Sequence, residues 1–295
     1  MKFYSNNWLC KIYLILIIYY ICIVFQNLFI ESKFKNIYLN KMKIQKFDQN
    51  NHEYKKPIDT SNLDNTNTVF PTILIGIMIT KDTPVERLNA FRNTFFNIST
   101  NVNLIFKFVQ GKSEKQNIET DVIVLNISEN MNDGKTYHWF EYGVKFLSEF
   151  ASYHKLNGIV KMDIDCAVDW NRFLNVFFPF LHENYYIGRV NDLTICGGAS
   201  HCPPQDCNGF YDNCWIYMSG GWYSLNYNVA HSLIFNCKFP KQNIYGPEDL
   251  MVGKWIQNCF KNVSIFNVKN GDFFCHDNSI TNNIIINFNN NQCLK

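Results

Sequence analysis

Asp163 and Asp165 stand two residues apart at the end of an apolar run, Gly158-Ile-Val-Lys-Met-Asp-Ile-Asp165. Gly158 to Met162, with its β-branched residues, reads as a buried strand. Alternate side chains of an extended chain share a face, so both carboxylates would leave the strand end at one spot. Two adjacent carboxylates repel unless a cation or protons neutralise them. Their oxygens suit a hard divalent ion, Mn²⁺ or Mg²⁺, which in turn would hold a diphosphate. A solvated loop carries the same Asp-x-Asp pattern, so the pair means a metal centre only in company.

Further groups offer that company. Ser219-Gly220-Gly221-Trp222 pairs two glycines beside an aromatic, which either lets a ligand approach the backbone closely or marks a tight bend in a strand. Glu248 and Asp249 follow Pro247 at the start of an apolar-patterned helix that reaches Phe260, where two acids either cap the helix or do chemistry. His276 lies in Phe274-Cys275-His276-Asp277, at the end of an aromatic run. Four cysteines, Cys196, Cys202, Cys207 and Cys214, crowd one stretch without the Cys-x-x-Cys pairs of a zinc ribbon, which favours disulfides over zinc.

The elements that must position these residues alternate in kind. Strand-like runs at Thr72 to Thr80, Val102 to Val109, Asp121 to Ile127 and Tyr185 to Val190 are interleaved with helical patterns, and Trp215 to Leu225 carries the glycine pair. The helices are expected at Val85 to Phe96, behind Asp82, Thr83 and Pro84, at Lys135 to Tyr153, and at Asp169 to Phe180. This is an α/β layer pattern, and in such sheets ligands sit at the carboxyl ends of strands, where the Asp pair falls.

Composition sets the outer bounds. The 295 residues are 47% hydrophobic, enough for a proper core, and a net charge of +2 with 18% charged residues gives nucleic acid no electrostatic hold. After a short tail, residues 1–11, every residue from Ile12 to Phe25 is apolar or aromatic, and the run to Ile30 approaches a membrane span with no cleavage site behind it, so 12–30 reads as an uncleaved signal anchor. Residues 31–70, rich in Lys, Asn and Asp, read as a flexible stem, with the folded domain at 71–295. Lys33, Lys35, Lys41, Lys43 and Lys46 would by themselves put that flank in the cytoplasm. The sequons at Asn97, Asn126 and Asn262, with nine of the 11 cysteines beyond the anchor, argue instead for a lumenal domain.

In their order along the chain these pieces resemble the β-1,3-glycosyltransferases of the galactosyltransferase and Fringe type, glycosyltransferase family 31. Ile73-Leu-Ile-Gly-Ile resembles the family's first strand, and Glu86-Arg87-Leu-Asn-Ala-Phe-Arg92-Asn-Thr94-Phe95 its Arg-Arg-x-x-Ile-Arg-x-Thr-Trp helix. Lys135-Thr136 is similar to the Lys-Thr that opens the next long helix, and Lys161-Met-Asp163-Ile-Asp165 to the Lys-x-Asp-x-Asp metal motif. Tyr217-Met-Ser-Gly220-Gly-Trp-Tyr223 resembles Tyr-x-x-Gly-x-Gly-Tyr, and Glu248-Asp249-Leu-Met-Val252-Gly253 resembles Glu-Asp-Val-x-Val-Gly. Two positions depart: Ile164 replaces the middle acid of the usual Asp-Asp-Asp, and Trp222 replaces the second glycine, where it could reshape the sugar or acceptor pocket.

The resemblance implies a type A glycosyltransferase fold, a Rossmann-like nucleotide-binding sheet flanked by helices, in a single-pass type II protein of the Golgi or ER membrane. It implies an inverting transfer of a hexose or N-acetylhexosamine from a UDP-sugar to a hydroxyl of a glycan or glycoprotein acceptor, in a β-1,3 linkage. Asp165 and Asp163 would hold Mn²⁺ or Mg²⁺ with His276 as a third ligand. Arg87, Arg92, Lys135, Asp163, Gly220 and Gly221 would face the nucleotide sugar, and Asp249, with Glu248 second, would act as the base. Two rivals remain: a glycan-binding protein on the same fold without catalysis, and an Asp-x-Asp phosphatase, which is disfavoured by Ala167 where that motif wants Thr or Val.

Overall fold

The computed structural model describes residues 44–46, 71–96, 98, 100, 102–112, 119–129, 134–150, 157–177, 183–192, 216–242, 244, 246–268 and 273–276. The expected tail and anchor at 1–30, most of the stem and the four cysteines of 196–214 lie outside these residues. Among the described residues no helix is long and apolar enough to cross a membrane.

In chain order the elements are β1 (Ile44–Lys46), β2 (Thr72–Met78), α1 (Val85–Phe95), β3 (Asn103–Lys112), β4 (Val122–Ser128), α2 (Lys135–Phe150), β5 (Gly158–Asp163), β6 (Cys166–Val168), α3 (Trp170–Phe177), β7 (Tyr185–Asp192) and β8 (Ile216–Asn226). They continue with α4 (Tyr227–His231), which runs into a π-helical turn at Ser232–Asn236, then α5 (Phe239–Gln242), α6 (Glu248–Cys259), β9 (Ser264–Asn267) and β10 (Phe274–His276). Eight strands form one sheet in the order β1-β9-β7-β8-β5-β2-β3-β4, while β6 and β10 pair separately as an antiparallel ribbon. Within the large sheet only β8 runs against its neighbours, β5 and β7; the other pairings are parallel. The chain is thus an α/β protein with a mostly parallel, Rossmann-like sheet.

Strand β2 shows why the sheet is central. Residues Thr72 to Ile77 are all buried, as expected of a parallel strand covered on both faces. Ile73, Ile75 and Ile77 join Leu88, Phe91 and Phe95 of α1, and Trp170, Phe173 and Phe177 of α3, in one apolar cluster. The alternate residues meet α2: the Trp139 ring lies on Gly76, with no room for a Cβ there, and Gly143 lets the helix settle against Ile159 and Leu74. Trp139 also donates from its indole nitrogen to the Val160 carbonyl at 2.9 Å, which satisfies its one polar atom. Helices therefore cover both faces, and the period-two alternation of β2 and β5 decides which residue meets which helix.

The structure departs from the sequence expectation at short elements. Ile44–Lys46, inside the expected flexible stem, pairs in parallel with β9 and forms an edge of the sheet. A three-residue strand has no periodicity to read, and its partner lies more than 200 positions away. Likewise β6 and β10 are each three residues long and gain their strand character from pairing with each other, Phe274 opposite Val168 and His276 opposite Cys166.

Candidate active site

The chain lays β2, β3 and β4 side by side in one direction, then returns through α2 to place β5 on the other flank of β2. At such a reversal the helices leave opposite faces, and a crevice opens at the carboxyl ends of the two central strands. Met78 and Asp163, the last residues of β2 and β5, are paired in register there. The expected strand ends at Asp163, and Ile164–Asp165 form a turn into β6. Asp165 therefore sits at the crevice through a bend of the chain and not through strand alternation. Ile164 packs against the apolar core, and its carbonyl accepts a bond of 3.4 Å from Arg87 Nη2. Apolar packing at this position accounts for Ile164 where the resemblance expects an acid.

At the centre of the site stands Lys161, the first residue of the Lys-x-Asp-x-Asp stretch. Lys161 lies two residues before Asp163 on the same face of β5, and its side chain is 6% exposed. Its Nζ sits 2.8 Å from Asp163 Oδ1 and 3.3 Å from Asp249 Oδ1, and donates to the Gly220 carbonyl at 2.5 Å. The ammonium also lies 5.6 Å from the centre of the Tyr223 ring, the residue paired with it across β8. Burial disfavours its charge, but Asp163 and Asp249 outweigh that cost and hold its pKa above the ordinary lysine value. Asp163 is pushed upward by burial, against the pull of Lys161, with Asp249 and Asp165 adding to the rise. The signal that could have found Lys161 is its position: a basic residue inside an apolar strand, in phase with an acid at its end.

Asp249 reaches this spot from α6. The helix begins at Pro247, and no side chain caps it. The two acids of its first turn thus do not serve as caps, although they still face the positive end of the helix. Asp249 turns to Lys161, and Glu248 accepts from Thr136 Oγ1 at 2.6 Å. Glu248 Oε1 is buried with no hydrogen-bond partner, and burial pushes its pKa up to about 7 despite the help of Thr136. Tyr223, fully buried beside Asp249, is likewise held well above the usual phenol value by burial and then by that charge.

The glycine pair explains how Asp249 fits. Trp222 pairs with Met162 of β5, and Tyr223 with Gly188 of β7, but the β7 pairing resumes only at Met218 opposite Val190. Ser219, Gly220 and Gly221 are therefore a bulge that neither neighbour matches. A Cβ at Gly220 would overlap the Asp249 carboxylate and lie 3.3 Å from Lys161 Nζ. What approaches this backbone closely is the protein's own acid. Gly221, in the same bulge, is buried.

Not every expected residue gathers here. Arg92 is engaged elsewhere: Nε and Nη2 bond Asp121 at 2.7 and 2.9 Å, Glu119 joins the pair, and the guanidinium lies 5.2 Å from the Phe108 ring centre. Asp121 adjoins β4, three strands from β5, so Arg92 ties α1 to the sheet flank and does not reach Asp163. Lys135, 5% exposed, donates to the Ile79 carbonyl and to Glu129 Oε1, both at 2.6 Å. It fastens the start of α2 to the end of β2, its charge met by Glu129, while the adjacent Thr136 reaches Glu248. Arg87 stays at the site, its Nε buried without a partner. Backbone pairing sets position 276 opposite Cys166, next to Asp165; the His276 side chain lies outside the description. Trp222, expected to reshape a pocket, is fully buried in the core, 5.0 Å from Phe273, 5.3 Å from Phe173 and stacked 5.8 Å from Phe274.

Chemically, the crevice offers two carboxylates at a strand end, a third held near them by a buried ammonium, and an arginine with an unused donor. The oxygens of Asp163 and Asp165 fit a hard cation, which would take over from Lys161 the neutralising of Asp163. Compared with protein-family models and with curated proteins, the chain matches none.

Proposed function

We propose that the chain is a metal-dependent inverting glycosyltransferase of the type A fold, similar to the β-1,3-galactosyltransferase and Fringe group, which moves a hexose or N-acetylhexosamine from a UDP-sugar to a glycan or glycoprotein hydroxyl. The observation that carries this is Lys161, which keeps Asp249 within one ammonium of Asp163 at the carboxyl end of the strand beside the sheet's reversal point. A single carboxylate near a diphosphate-binding pair is what direct displacement needs. Asp163 and Asp165 would hold Mn²⁺ or Mg²⁺, with His276 as a third ligand; when bound, the ion supplies positive charge against the departing UDP. Arg87, whose Nη2 meets the Ile164 carbonyl while its buried Nε has no partner, is the cation we assign to the nucleotide. Asp249 accepts the proton of the acceptor hydroxyl, Gly220 leaves it the room to do so, and Glu248 stands behind it on Thr136.

The compartment we infer is lumenal, in a type II protein of the Golgi or ER membrane anchored by 12–30. Cys237 and Cys259 are bridged, and Cys275 is also in a disulfide, which favours an oxidising environment. Sequon residues Asn126 and Asn262 are exposed.

The decisive experiment separates metal holding from base catalysis. A panel of UDP-sugars is tested for UDP release with Mn²⁺ and with chelator, on the wild type and on two variants. Asp165→Asn should weaken Mn²⁺-dependent UDP binding, because an amide keeps the shape and loses the charge. Asp249→Asn should bind UDP and Mn²⁺ nearly normally while turnover falls by roughly a hundredfold to ten-thousandfold. UDP binding without any transfer would favour the glycan-binding rival, and phosphate release without UDP-sugar dependence would favour the phosphatase.

A further inference from the structure

The two edges of the large sheet are protected very differently. One edge, β1, is three residues long, and shortness is a common way of blunting an edge. The other, β4, is seven residues long and reads Val-Ile-Val-Leu-Asn-Ile-Ser, with no charge and no proline. It pairs only with β3 among the described residues, so its outer N–H and C=O groups face away from the sheet. A long, uncharged, β-branched edge is the kind of segment that recruits a strand from another chain.

The same strand carries a sequon at an irregularity. Leu125 stands opposite Gly111 and Ser128 opposite Lys112, so Asn126 and Ile127 are bulged from the ladder. Asn126 and Ser128 are both exposed. Gly111 admits this course: a Cβ there would lie 2.7 Å from Glu129 Cα and 2.8 Å from its nitrogen. The bulge thus leaves Asn126 out of the ladder, just past the four regularly paired residues Val122 to Leu125 of this edge.

We propose that Asn126 is an N-glycosylation site whose glycan shields the β4 edge, which among the described residues pairs only with β3. It rests on the lumenal reading above. The acceptor is the Asn126 side-chain amide nitrogen, and the donor is an oligosaccharide linked through pyrophosphate to a membrane lipid. A bond forms from that nitrogen to sugar C1, the C1–oxygen bond to the pyrophosphate breaks, the lipid pyrophosphate leaves with the electron pair, and the amide proton passes to the transferase's base. A branched, hydrated oligosaccharide on a bulged residue excludes an incoming strand along the edge, which a charged side chain would otherwise have to do. Asn262, also exposed, lies in the connection between α6 and β9 and not in a strand.

The test uses the full chain made in a eukaryotic secretory host. Glycosidase-coupled peptide mapping reports occupancy of each sequon in the wild type, Asn126→Gln, Ser128→Ala and Ser128→Thr, and sedimentation at matched concentration reports self-association. Asn126 should be occupied in the wild type and in Ser128→Thr, and bare in the other two, which should sediment as larger species with little change in Tm. Native glycosidase trimming of the wild type should reproduce that association without any substitution. A bare Asn126 beside an occupied Asn97 or Asn262 overturns the site and leaves the lumenal reading standing. Unchanged sedimentation of the bare protein overturns the shielding role. All sequons bare, with the domain open to protease from the cytosolic side, overturns the site and the lumenal reading together.

Discussion

Lys161 joins groups that would otherwise repel. Its burial is costly alone, and the two half-buried carboxylates it serves repel each other; together they neutralise one another at 2.8 and 3.3 Å. Removing the lysine leaves both acids without their cation, but each is about a third exposed and screened by water, so Lys161→Met is expected to lower stability by about 1 to 3 kcal/mol in chemical denaturation. In the double variant with Asp249→Asn the loss should be smaller than the sum of the singles, because one orphaned charge is gone. Additive losses would show that the two side chains are not coupled. Glu248 behaves in the opposite sense. Its pKa rises from 4.5 to about 7 on folding, so between those values the folded chain binds more protons than the unfolded one. Stability from this group is therefore undiminished below about pH 4.5, declines as pH rises through the window, and is lower by on the order of 3 kcal/mol above it. Glu248→Gln, which keeps an acceptor for Thr136, should raise Tm over the wild type at pH 8 and lose that advantage near pH 4.5. An equal Tm difference at both values would remove the assigned shift.

At the scale of elements, the β8 bulge and the first turn of α6 fit as a pair. The unmatched Ser219-Gly220-Gly221 segment offers a carbonyl to Lys161 and a bare Cα to Asp249, so the carboxylate can lie directly on the strand. If the chain is the transferase proposed above, Gly220→Ala is expected to displace Asp249 and to cut turnover on the scale of losing a positioned base, roughly a hundredfold or more, while UDP and Mn²⁺ binding, assigned to Asp163 and Asp165, is largely kept. Calorimetry beside product formation checks this; equal loss of both would mean that the bulge collapsed as a whole. Trp222, in the same strand, points to the other face and stacks on Phe274 two residues before His276, so it braces the β6–β10 ribbon from beneath.

At the scale of the whole molecule, the reversal of strand order beside β5 makes the crevice, and a disulfide fixes one of its walls. Cys237, which follows the π-helical turn, is bridged to Cys259 at the end of α6, 22 positions later and with a Cα–Cα distance of 5.8 Å. Closing a loop of that length restricts the unfolded chain by about 3 kcal/mol. The paired substitution Cys237→Ala with Cys259→Ala should cost about that much and shift Tm downward by roughly 5 to 10 °C. Since α6 carries Glu248 and Asp249 at its other end, an unchanged Tm would mean that packing of Leu250, Met251, Val252, Trp255 and Ile256 alone holds the helix.

Local pattern was enough for the long elements. The apolar run of β2, the helical spacing of α2 and the strand ending at Asp163 are each written in contiguous residues, because burial on both faces or on one stripe leaves a period in the sequence. The Asp163–Asp165 pair and the acids after Pro247 were legible as candidate groups for the same reason: their spacing is short. What tertiary structure alone decided is which distant residues share a charge. Arg92 and Lys135 looked like free cations, yet Asp121, Glu119 and Glu129 occupy them, and no spacing along the chain announces those partners. Gly220 needed its freedom for Asp249, 29 positions away in sequence, and β1 and the β6–β10 ribbon are too short to carry a period of their own. Sequence encodes a side chain's type and its phase on one element; the partner that neutralises or confines it comes from another element, and only the packed fold brings the two within a few ångströms.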